Sequence, residues 1–140
     1  MSSEFGWVAL RGLVSEITEL YTCEKSLELA RQVKNLSEHF SEVNATSYYT
    51  SVSAVDDYIQ FLEDWQKYVM DELLLRYEQV RRDYPEISSS TQTQTYTNSY
   101  GDTYTLAFNV DKNVRIIYKD KMYKVFWGVQ SESFVVDITG

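Results

Sequence analysis

The chain has 140 residues, 13 Lys or Arg against 21 Asp or Glu, a formal net charge of −8, 44% hydrophobic residues and 15% aromatics. That length and apolar content suit one folded domain, residues 1–140, with a packed core, and exclude a chain disordered throughout. One Cys rules out an intramolecular disulfide, and no window approaches the roughly 18 uninterrupted apolar residues of a transmembrane helix.

The opening MSSEFGWVAL has no basic leader and meets Arg11 before any long apolar run, which makes a soluble, cytoplasmic protein the expectation. From Phe5 to Tyr21, Leu10, Leu13, Val14, Ile17, Leu20 and Tyr21 follow the spacing of an amphipathic helix, slightly weakened by Gly12. Leu27, Ala30, Val33, Leu36 and Phe40 suggest a second helix with Thr22 as its N-cap. The join at 21–25 has no Gly or Pro, so two helices and one kinked helix both remain open there.

SEVNATSYYTSVSAV reads as a connecting loop held down by Tyr48 and Tyr49, ending in a capping-box-like Ser53-Ala54-Val55-Asp56. The helix from there to Tyr84 is the clearest element. Val55, Ile59, Leu62, Val69, Leu73 and Val80 lie along one side, flanked by Tyr58, Phe61, Trp65 and Tyr68. Such an arc, about half the circumference, is wider than the usual stripe and implies a central helix with neighbours on two sides. Asp56 and Asp57 early, Arg81 and Arg82 late, and Pro85 beyond suit its macrodipole and its stop.

The polar stretch TQTQTYT, followed by NSYGD and then by alternating Tyr104, Leu106, Phe108 and Val110, reads as the first strand of a hairpin and not as a linker. A tip at Tyr100-Gly101 would pair Thr97 with Tyr104, Thr95 with Leu106 and Thr93 with Phe108, placing the Thr row on the apolar face. Strands at 114–119, 122–130 and 134–139, joined by short polar turns, complete an antiparallel five-stranded meander. Val114, Ile116 and Tyr118 would share a face with Tyr123, Val125 and Trp127. Helices in 1–86 followed by a sheet in 87–140 give an α+β fold with the long helix on the sheet.

Chemistry finds little purchase. The only His is His39 and the only Cys is Cys23, with nothing local to make them a dyad. Glycines at 6, 12, 101, 128 and 140 cannot build a phosphate-binding or dinucleotide loop, and no metal set reaches structural-site spacing, so neither cofactor nor metal is expected.

Charge and surface are more informative. Residues 1–86 carry sixteen acids and eight bases, whereas 87–140 carry five of each, so the excess negative charge sits in the helical part. It would repel nucleic acid and anionic lipid and attract a basic protein surface. Asp57, Asp64, Asp71 and Glu78 recur every seven residues along one strip of the long helix, with Leu74 and Leu75 on or beside it, the anatomy of an anchor ringed by acids. A 57–84 helix would extend about 42 Å against a domain diameter of roughly 37 Å, so it would overhang and call for a second copy.

A non-enzymatic protein-interaction module (inhibitor, immunity-type or assembly protein), docking through these residues and forming a twofold homodimer, is therefore the expectation. The alternative is nucleic-acid binding through the basic strands, with Arg115, Lys119, Lys121 and Lys124 beside Tyr118 and Tyr123 as stacking platforms. A hydrolase using unidentified carboxylates is the third.

Overall fold

The computed structural model describes residues 3–39, 45–84, 92–108 and 113–140. Three helices, α1 (Ser3–Arg11), α2 (Val14–His39) and α3 (Ala45–Asp83), precede five strands, β1 (Gln92–Thr97), β2 (Thr103–Phe108), β3 (Val114–Tyr118), β4 (Lys121–Gly128) and β5 (Ser133–Thr139). The strands form one antiparallel sheet in the order β1-β2-β3-β4-β5, the expected meander, and the fold is α+β. Residues 85–91, between α3 and β1, lie outside the described residues, as do residues 109–112 before β3.

The helix boundaries differ from the sequence expectation in two places. The break falls at Gly12-Leu13, and 21–25 is helix interior. Gly12 N–H donates to the Ala9 carbonyl at 3.1 Å and Leu13 N–H to that of Leu10 at 2.9 Å, so α1 ends in a tightened turn. A Cβ on Gly12 would meet that same Ala9 oxygen at 3.1 Å, which is why glycine suits the junction. The second difference is the start of α3, which begins at Ala45 and includes residues 45–55 of the expected loop, its first four residues lying outside the described residues. Ser53 to Asp56 are helix interior rather than an N-cap, and the Ser- and Thr-rich composition that suggested a loop is overridden by its continuity with the long helix that follows.

By its contacts the chain divides into two compact units: Met1–Glu19 with Met70–Gly140, and Leu20–Val69. This division cuts through both long helices and does not follow the 86/87 boundary between helical and sheet sequence.

In the first unit, α1, the first turns of α2 and the last turns of α3 cover one face of the sheet. Trp7, Leu10, Leu13, Val14 and Ile17, then Leu73, Tyr77 and Val80 of α3, and the strand residues Tyr104, Leu106, Val114, Ile116, Tyr118, Tyr123, Val125 and Phe134 are all buried. Each such side chain contributes roughly 1.5–3 kcal/mol of burial. The expected partition of β3 and β4 holds except at Trp127, which is half exposed at 50% and meets the Phe134 ring edge-on at 5.1 Å. Glu16 is buried and is matched by Arg76, whose Nε lies 2.9 Å from its carboxylate.

The first hairpin is one residue out of the expected register. Tyr96 pairs with Tyr104, Thr95 with Thr105 and Gln94 with Leu106. The loop is three residues long, not two: Asn98 N–H donates to the Asp102 carbonyl, Gly101 N–H to the Asn98 carbonyl, and Asn98 Oδ1 accepts from the N–H groups of Tyr100 and Asp102. Gly101 has φ 86°, the left-handed residue that such loops need. A one-residue slip exchanges the two faces of a strand. The Thr row is therefore exposed, with Thr97 and Thr103 hydroxyls 3.1 Å apart, while Gln94 and Tyr96 turn toward α1. There Arg11 Nη2 donates to Gln94 Oε1 at 3.2 Å and its guanidinium lies 5.2 Å from the Tyr96 ring centre. Tyr96, Tyr104 and Tyr118 then stack across β1, β2 and β3 at 6.4 and 4.7 Å.

Two consequences are measurable. A Cβ on Gly101 meets nothing within 4 Å, so Gly101→Ala isolates backbone strain and should cost about 1 kcal/mol in urea unfolding. Burial pushes the Tyr77 phenol up to about 12, against the opposing pull of Arg81. Folding then holds the phenol's proton above the pH at which the unfolded chain releases it. Wild-type stability should fall above about pH 10 by up to ~1.4 kcal/mol per pH unit from this group, and Tyr77→Phe should remove that part of the slope.

Candidate functional site

The second compact unit is an antiparallel pair of helices, residues 20–39 of α2 against 45–69 of α3. Its centre is small: Cys23, Leu27 and Ala30 from α2 and Leu62 from α3 are buried, with Ile59 and Trp65 packed against them. The Cys23 thiol donates to the Leu62 carbonyl at 3.0 Å. Burial, then the neighbouring Glu24 carboxylate, push this thiol above its ordinary pKa, against a hydrogen bond from the Gln66 backbone. A buried thiol bonded in this way is a packing group, not a nucleophile. The side chain of His39 lies outside the described residues.

Either side of that centre, the two edges of the pair are chemically opposite. One edge is polar and closed. Gln66 Nε2 donates to Glu24 at 2.7 Å, Arg31 lies 3.6 Å from Glu63, and Lys34 lies 2.8 Å from Asp56. These groups project from α2 and α3 toward one another, as residues three and seven apart on facing helices do.

The other edge is apolar and open. On α2, Leu29 and Val33 are 63% and 50% exposed, and on α3, Tyr58, Phe61 and Tyr68 are 50%, 61% and 64% exposed. Leu29, Ala30, Val33, Val55 and Tyr58 line a hollow of about 310 Å³ between the helices. Phe61, Trp65 and Tyr68 line a second hollow of about 350 Å³, which includes Asp64. Leu29, Val33, Tyr58, Phe61 and Tyr68 thus leave apolar and aromatic surface in water along this edge, the residue types enriched at interface centres. Leu36 and Val33 were expected within a buried stripe and the α3 aromatics on flanks covered by neighbours. Among the described residues of this unit α3 has one helical neighbour, α2.

The expected acidic strip is exposed. Asp57 and Asp64 lie in the helical pair, bordering the open edge: Asp57 is one turn from Phe61, and Asp64 lies in the Tyr68 hollow. Among the described residues neither is in an ion pair, although Gln60 Nε2 donates to Asp64 at 2.9 Å. Asp71 and Glu78 are exposed in the other unit, where Leu74 is half-buried and Leu75 is 63% exposed.

The alternative set on the sheet is split between two faces. Tyr118 and Tyr123 are buried at 4% and 0% exposure on the covered face, so neither can stack a base, which corrects that expectation. Arg115 and Lys124 pair on the opposite face, Lys124 in turn beside Asp137, with its Nζ 5.0 Å from the Phe126 ring centre. Lys119 sits in the turn after β3 with φ 54°, its ammonium over the Tyr118 ring, and Lys121 opens β4. Among the described residues no group of three or more His, Cys, Asp or Glu side chains is placed to hold a metal ion. No helix of the described residues is long and apolar enough to cross a membrane.

Comparison with protein-family models, with curated proteins and with solved structures found no match for this chain.

The Cys23 thiol reports on closure of the helical pair. In the native protein a chromogenic disulfide reagent should label it on the order of 100-fold more slowly than in denaturant, and Leu62→Ala, which opens its packing, should shorten that lag.

Proposed function

We propose that this chain is a non-enzymatic protein-interaction module, of the inhibitor, immunity or assembly kind, that docks a partner protein on the open edge of the α2–α3 pair. The observation that carries the proposal is that edge itself: two aliphatic and three aromatic side chains half or more exposed, beside a closed edge of the same pair where Glu24, Arg31, Lys34, Asp56 and Glu63 each have a partner. Aromatic anchors in water with a polar border have the composition of interface centres. Asp57 and Asp64 on that border, within a chain of net charge −8, favour a partner with a basic surface. A cytoplasmic location accords with a free thiol as the only cysteine.

A twofold homodimer is the competing occupant. The premise for it was an unsupported overhang of α3; within the second unit α2 supplies support on one flank, and only the other flank is left for a second copy.

Phe61→Asp and Tyr68→Asp are the informative variants, because both side chains are in water and each substitution should change stability by less than about 0.5 kcal/mol. Affinity capture from the source cell should recover a partner with wild-type protein and lose it with either variant. A partner retained by both variants, or a protein that is monomeric and captures nothing, would sink the proposal.

A further inference from the structure

The open edge restricts what can sit on it. Between α2 and α3 it runs from Val55 to Tyr68 along α3, about 20 Å at helical rise, or four turns. A helix surface presents no free backbone N–H or C=O groups, because its own turns consume them. An extended segment laid there would leave its backbone unpaired against Leu29, Val33 and Phe61. A helix satisfies its own backbone and needs only an apolar face, which is the helix-in-groove mode of recognition.

Charge restricts it further. On the closed edge, Asp56 and Glu63 each have a cationic partner within the chain. On the open edge Asp57 and Asp64 have none among the described residues, and they stand seven residues apart, two turns or about 10.5 Å along the groove. A second copy would bring the same two carboxylates and the same charge of −8 to the contact. Like charges facing across an interface oppose it.

We propose that the open edge seats one amphipathic α-helix of a partner protein, apolar where it meets the groove and carrying cationic side chains at i and i+7 on the flank facing Asp57 and Asp64, so that α2, α3 and the incoming helix make a three-helix bundle. The proposal rests on the interaction function above and names the partner's chemistry.

The test uses the whole protein and two synthetic 18-residue amphipathic helices with identical leucine faces. One carries Arg at i and i+7 on a single flank, and the other carries Glu at the same places. In fluorescence anisotropy at low salt the Arg peptide should bind about tenfold or more tighter than the Glu peptide, and salt should shrink the ratio. Asp57→Lys with Asp64→Lys, both fully surface substitutions, should reverse the preference, and Phe61→Asp should weaken both peptides. Circular dichroism of the complex should show the bound peptide helical. Equal binding of the two peptides, an unchanged preference in the double Lys variant, or no binding of either overturns the proposal. So does a wild-type dimer in sedimentation that Phe61→Asp splits. In those cases a partner lost to Phe61→Asp in affinity capture would still support the interaction function, so the two failures are distinguishable.

Discussion

Along the helical pair the governing constraint is that α3 carries more apolar circumference than one neighbouring helix can cover. An arc of about half a helix needs contact on two flanks, whereas a single antiparallel partner shields roughly the 100° stripe that faces it. In the Leu20–Val69 unit, α2 covers Leu62 and Ile59 and leaves Tyr58, Phe61 and Tyr68 in water. The polar seam adds direction. Glu24, Arg31 and Lys34 draw α2 toward one flank of α3, so the surplus apolar surface collects on the other flank instead of being shared. Surface ion pairs are individually weak, each worth at most about 1 kcal/mol. Their value here lies in fixing which flank of α3 faces α2.

In the Met1–Glu19 and Met70–Gly140 unit the same surplus does not arise, because a sheet face supplies a broad partner. Leu73, Tyr77 and Val80 are all buried, and Tyr77 meets the Phe134 ring edge-on at 5.3 Å while Arg81 lies over that ring at 4.5 Å. Across β1 to β3 a ladder of tyrosines takes the place that aliphatic pairs usually hold. Its hydroxyls must be bonded when buried, and Tyr104 meets that need through Thr18 on α2 and Asn98 in the hairpin loop. One loop residue, Asn98, thereby shapes the turn and caps the ladder.

Elements with strong periodicity were legible in the sequence, and their ends were not. The meander, the closing stretch of α3 and the exposure of Asp57, Asp64, Asp71, Leu75 and Glu78 follow from alternation, from spacing by threes and fours, and from charge. The hairpin register did not, because Thr and Gln differ too little in hydrophobicity to choose a face. Asn98 and Gly101 decide it by closing a three-residue loop. The start of α3 was hidden for a related reason: Ser, Thr and Tyr in 46–53 are tolerated in both loop and helix. Gly12 marks the break between α1 and α2, although glycine inside a helix pattern is often only a local cost.

By itself, the sequence determined which side chains are apolar, which are charged and with what period they recur, because those are properties of each residue and its near neighbours along the chain. Only the tertiary structure decided which apolar flank of α3 receives a partner within the chain and which is left open. Helical spacing places Leu62 and Phe61 on adjacent stripes of one arc, and nothing local separates them. Burial of the one and exposure of the other depend on the direction from which α2 approaches, and that is settled by residues 30 to 40 positions away.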